Sequence, residues 1–160
     1  MTPDRARYAA RMPQMKAREL EQFLHDALPD TAPAFAVEAL GDWGARVRLA
    51  VTDAHSRPGG TVSGPALMAA ADTAAYAAVL GQIGPVALAV TTSLHIDFLR
   101  KPALVDILAE ARLLKLGRRL AVVSVALWSA DPDRTTDDGA GGVRPDLVAS
   151  AQVTYSIPPD

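Results

Sequence analysis

The stretch GGTVSGPALMAAADTAAYAAVL, residues 59–80, decides how this chain is read. It begins as a glycine-rich loop, passes through Pro65 and becomes a run of alanines and larger apolar residues. Pro65 suits a first helical turn, where its missing N–H has no intrahelical acceptor, and Ser63 or Gly64 can cap that turn. Residues 66–80 are mostly good helix formers with no internal glycine or proline. Gly81 and the Gly84-Pro85 pair are expected to end the helix. Because it is apolar on nearly every side, other structure should wrap it. A membrane span competes on length, but Asp72, Thr73 and Gln82 fall within the run and the flanks lack a basic anchor. A buried core helix is the better reading.

Between Arg57 and His95 the only Asp, Glu, Lys, Arg or His is Asp72. An ionised carboxylate in apolar surroundings is costly unless hydrogen-bonded or paired. Asp72 is therefore the first candidate for chemistry. The competing reading is a structural carboxylate, satisfied by Ser63, Thr73 or backbone donors.

The remaining composition narrows the field. A chain of 160 residues suits one compact domain with a real core. Hydrophobic residues at 49% and charged ones at 21% are ordinary for a soluble globular protein. A formal net charge of −2 gives no case for nucleic acid or an anionic membrane as partner. The absence of cysteine excludes disulfides, a thiol nucleophile and thiolate metal sites. His25, His55 and His95 are scattered without ligand spacing, so no metal site is expected. The N-terminal MTPDRARYAARM lacks the apolar core of a secretory signal, and the expected location is cytoplasmic.

Outward from the central helix, residues 15–28 form an amphipathic pattern with Leu20, Phe23, Leu24, Ala27 and Leu28 on one face. Strand patterns follow at 35–40 and 46–52, then at 86–99, 105–116, 120–129 and 147–157. In residues 86–99 the even positions read as an apolar row, whereas Thr91, Ser93, His95 and Asp97 read as a polar one. Residues 131–146 read as a hairpin loop rich in Asp, Gly, Pro and Thr. Strands joined by short turns pair antiparallel, and a curved sheet around an apolar helix buries both surfaces together. The expected class is α+β, with an N-terminal helical arm over 1–34 and one domain over 35–160.

Residues 59–76, followed by SLHIDFLRKP at 93–102, resemble the hotdog-fold acyl-CoA thioesterases of the PaaI type. That family carries Gly-x-x-His-Gly-Gly, a helix, and an Asp followed by a small residue. Here the stretch reads Gly60-Thr61-Val62-Ser63-Gly64-Pro65, with Asp72-Thr73 at the matching distance. The resemblance implies hydrolysis of a thioester by a homodimer or homotetramer with sites at the dimer interface. It implies no metal and no cofactor beyond the coenzyme A of the substrate. By position, Asp72 matches the catalytic carboxylate, as general base or as nucleophile. Gly64 matches the backbone N–H donor to the oxyanion, and Thr91 a hydroxyl that orients water.

Departures from the family pattern are Ser63 for its His, Pro65 for its second glycine, and Arg57 for an Asn found in some relatives. Ser63, Pro65, Gly60, Arg57 and Tyr76 are candidate substrate-binding residues. Arg100, Lys101 and Arg118 are candidates for coenzyme A phosphates, which suit Arg by geometry and Lys by charge. A non-catalytic acyl-CoA or small-ligand binding protein on the same fold is the alternative function.

Overall fold

The computed structural model describes residues 12–130 and 146–159. Nearly all of the expected loop at 131–146, and the chain before residue 12, lie outside the described residues. Helix α1 (Ala17–Ala27) leads into strands β1 (Phe35–Gly41) and β2 (Gly44–Leu49). A small hairpin, β3 (Ser56–Arg57) and β4 (Thr61–Val62), then delivers the chain to helix α2 (Gly64–Ile83). Strands β5 (Val90–Phe98), β6 (Ile107–Leu116), β7 (Leu120–Ser129) and β8 (Ala149–Ser156) complete the fold.

Six strands form one sheet in the order β1-β2-β6-β7-β8-β5, and every neighbouring pair is antiparallel. The chain leaves β2, crosses the concave face as α2 and enters the far edge as β5. It then returns to the middle of the sheet as β6. This is a long helix wrapped by an antiparallel sheet, as the element order implied.

Small side chains make the wrapping possible. Ala70, Ala71, Ala74, Ala75, Ala77 and Ala78 are fully buried, so strands approach α2 closely on several sides. Facing them are the inward rows Val47 and Leu49 of β2, Ile107 and Ala109 of β6, and Val123 and Val125 of β7. By length and composition α2 could cross a membrane, yet it is mostly buried within the fold and serves as its core helix.

The helix starts at the expected cap and runs past Gly81 at its other end. It starts at Gly64 behind the N-cap Ser63, whose Oγ accepts from the Ala66 N–H at 3.4 Å. Gly81 does not end it. Leu40 packs into the space that a side chain at Gly81 would need, so the glycine is a close-approach point within the helix. Gly84, with φ of +89°, is the cap that stops it.

The outer face of β2 is wet, as its alternation predicted, and charged. Arg46 donates to Glu110 at 2.7 Å and lies over the Trp128 ring, while Arg48 pairs with Glu38 and Asp106. The third strand pattern, 86–99, is shorter than read: it becomes β5, and residues 86–89 belong to the connection after α2, with Gly84 and Pro85 setting the turn.

Candidate active site

Asp72 sits midway along α2, half-buried, on the side of the helix that faces the start of β5. Two hydroxyls meet its carboxylate. Thr91 Oγ1 donates to Oδ1 at 2.6 Å, and the Tyr155 hydroxyl donates to the same oxygen at 2.7 Å. The Tyr155 proton is also shared with the Asp72 carbonyl oxygen at 3.1 Å. Oδ2 has no hydrogen-bond partner among the described residues. The burial cost of the charge is thus offset by two short donors on one oxygen, while the other oxygen stays available.

The backbone explains how the two hydroxyls converge. Thr91 and Tyr155 are directly opposed across the β5–β8 ladder. Immediately after Thr91 the register shifts, so that Ser93 opposes Thr154 and Thr92 is the extra residue of a β-bulge. This corrects the expected polar row. Simple alternation puts Thr91 with Ser93, His95 and Asp97, but the bulge moves Thr91 to the inner row with Leu94 and Ile96. Ser93, His95 and Asp97 do stay on the outer face, where His95 and Asp97 contact each other at 3.3 Å.

Tyr155 was not singled out from the sequence. It lies in the inward row of β8 with Ala149, Ala151 and Val153, among small apolar residues. A lone tyrosine in such a row needs an acceptor for its hydroxyl, and that is the signal that could have found it. Its ring stacks on Tyr76, with centroids 5.7 Å apart and planes 9° from parallel. The Tyr76 hydroxyl in turn donates to the Ala87 carbonyl at 3.1 Å. Burial first, and the adjacent Asp72 charge second, push the Tyr155 pKa far above the usual phenol range. It is therefore a donor at any physiological pH.

Gly64 occupies the other end of the same helix. It is the first helical residue, and its N–H has no acceptor among the described residues. Pro65 follows it without an N–H, so Gly64 presents the free donor of this turn. The Phe98 ring packs against it, 3.4 Å from where a side chain on Gly64 would begin. Beside Gly64 opens a cavity of about 360 Å³ whose lining includes Arg57, Leu67, Phe98, Arg100 and Lys101. Gly59 and Gly60, with φ of +103° and +73°, form the β3–β4 turn that carries Arg57 to this cavity.

The expected site residues therefore fall into two groups. Asp72, Thr91 and Tyr76 gather at the start of β5, whereas Gly64, Arg57, Arg100 and Lys101 gather at its end. Ser63 caps the helix, Pro65 is exposed beside it, and Gly60 shapes the hairpin. Arg118 lies outside both groups, in the β6–β7 turn at the end of the sheet where Leu120, Ser156 and Val90 align. Among the described residues no three histidines or carboxylates converge as metal ligands would.

A family model described as Thioesterase superfamily matches residues 59–136, the span that holds both groups except Arg57. Over nearly the full chain, the sequence is 41% identical to a candidate thioesterase from a Silicibacter species. The match covers 94% of this chain and 96% of that one, with a TM-score of 0.78. The chain belongs to the thioesterase superfamily. Its hotdog fold follows, and so does its place among the thioester hydrolases.

The phenylacetic acid degradation protein PaaI from Thermus thermophilus is 27% identical, covering 84% of this chain and 98% of that one at a TM-score of 0.62. Zebrafish thioesterase superfamily member 2 is 18% identical and shares the fold, at a TM-score of 0.71 over 91% of this chain and all of that one. No curated protein matches the sequence significantly.

Proposed function

We propose that this thioester hydrolase acts on acyl-CoA and that each of its sites is shared between two copies of the chain. The observation that carries the reading is the Asp72 carboxylate, anchored through Oδ1 and open at Oδ2. In the proposed reaction Oδ2 takes a proton from water as the water oxygen attacks the thioester carbonyl carbon. The Gly64 N–H stabilises the oxyanion of the tetrahedral intermediate, helped by the helix N-terminal dipole. Collapse breaks the C–S bond, and the departing thiolate takes the proton back, releasing free acid and coenzyme A. Direct attack by Asp72 is the variant mechanism; it would pass through an acyl-aspartyl anhydride that water then opens. Neither route needs a metal or redox cofactor.

Helix geometry is the argument for a shared site. Gly64 and Asp72 are eight residues apart on one helix, about 12 Å along its axis at 1.5 Å per residue. One carbonyl group cannot sit within about 3 Å of both, as oxyanion donor and base require. Strand β5 suggests the remedy. It is a nine-residue edge strand bonded only to β8 among the described residues, with Val90 and Phe98 at its ends each about half exposed. Leu88 and Leu99 extend that exposed apolar edge. A second β5 pairing antiparallel with it brings the Asp72 end of one copy to the Gly64 end of the other.

In that arrangement Arg57, Arg100 and Lys101 flank the cavity as partners for coenzyme A phosphates. The Arg118 of each copy moves toward the cavity of its mate. Mass in solution distinguishes this dimer from a tetramer built of two of them.

Free-thiol release from a panel of acyl-CoAs, with wild type against Asp72→Asn, tests the reading. The protein has no cysteine to contribute to the signal. Turnover by the wild type and its near-complete loss in a folded Asp72→Asn variant is the expected result. Wild-type turnover in that variant would contradict it. A second reading, acyl-CoA binding without hydrolysis, is favoured by the single N–H donor left when Pro65 follows Gly64. Saturable binding with no thiol release from any substrate would establish it instead.

A further inference from the structure

We infer that Tyr155 is a positioning residue for hydrolysis, holding Asp72 so that Oδ2 is the oxygen offered to water. The inference rests on the proposed role of Asp72 and adds a residue that the matching family motif does not contain.

A carboxylate on a helix can rotate about its last bond and exchange its two oxygens. Here two donors, 2.6 and 2.7 Å away, converge on Oδ1 and oppose that exchange. They are not independent supports. Thr91 and Tyr155 are cross-strand partners, so one ladder position sets both hydroxyls, and the bulge at Thr92 turns Thr91 inward to complete the pair. Tyr155 is the more rigid of the two. It is buried, its ring is stacked on Tyr76, and Tyr76 is itself tied to Ala87.

A packing role alone would be filled as well by phenylalanine, which has the same ring and no buried hydroxyl to satisfy. The hydroxyl is the informative atom. It donates to Asp72 Oδ1 and so leaves Oδ2 as the oxygen that faces water. Its own proton is held tightly by burial and by the Asp72 charge, so it remains a donor throughout the reaction.

The test compares wild type, Asp72→Asn, Tyr155→Phe, Thr91→Val and the Tyr155→Phe, Thr91→Val double variant in thiol release. In Tyr155→Phe, kcat should fall about ten- to a hundred-fold, the range for one hydrogen bond to a charged group, with KM little changed. Thr91→Val removes the other donor to Oδ1 and should lower kcat in the same way, and the double variant should lose less than the two losses multiplied. A tyrosine that only packs would show no such coupling to Thr91. A folded Tyr155→Phe variant with wild-type kcat, alongside an inactive Asp72→Asn, overturns this inference alone. Activity retained in Asp72→Asn overturns the reading beneath it.

A second measurement needs no substitution at Tyr155. The hydroxyl proton of Tyr155, followed by NMR, should lie far downfield in the wild type and move upfield in Asp72→Asn, where a neutral amide replaces the charged acceptor. A proton signal unmoved by that substitution would equally overturn the inference.

Discussion

A carboxylate on an alanine-rich helix is tolerable only where donors meet it, and at Asp72 both donors come from strands distant in sequence. The sequence made Asp72 legible because it is alone among apolar residues. Thr91 entered only through the family resemblance and Tyr155 not at all, since cross-strand opposition is a property of the ladder and the bulge at Thr92 breaks the alternation that sequence reading assumes. Gly64 entered through the family resemblance, and the structure adds that it is the first residue of α2, with no acceptor for its N–H among the described residues.

Tyr155 also carries a stability consequence at this scale. Its folded pKa is raised, by burial first and then by Asp72, above the ordinary value of 10.0. The folded chain therefore holds the phenolic proton more tightly than the unfolded chain does. The resulting stability is complete below about pH 10 and is lost as pH rises beyond it, because the unfolded chain sheds its proton first. Denaturant midpoints measured from pH 8 to pH 11 should fall at the alkaline end for wild type and fall less for Tyr155→Phe. Equal slopes for the two proteins would contradict this.

At the scale of elements, α2 is the part that the sequence described best. Its cap, its proline and its all-round apolar surface each demand a wrapped helix, and local chemistry suffices to read them. Gly81 misled because a glycine near a helix end looks like a stop, whereas here it makes room for Leu40. The alanines carry a testable demand. Ala74 is fully buried against the sheet, so Ala74→Leu inserts volume where none is free. That substitution should destabilise the fold by about 1–3 kcal/mol, seen as a lower urea midpoint with the slope unchanged. An unchanged midpoint would mean that the helix–sheet packing is looser than described.

For the whole molecule, the antiparallel sheet around a helix was legible from the order of elements, but the strand order was not. That β5 takes the far edge and β6 returns between β2 and β7 depends on how α2 crosses the concave face. The strand order matters for function because it leaves β5 at an edge, with the Asp72 and Gly64 groups at its opposite ends. The proposed shared site is the consequence of that separation.

Subunit complementation tests this most directly. Gly64→Pro removes the donor N–H while remaining compatible with a first-turn position and with the extended Ser63 before it. Asp72→Asn and Gly64→Pro chains should each be inactive alone. Mixed under conditions that exchange subunits, they should recover about a quarter of wild-type thiol release. Half of randomly assorted dimers are then heterodimers, and each of these keeps one intact site of two. No recovery in mixtures shown to contain heterodimers would contradict a site built from Asp72 of one copy and Gly64 of the other.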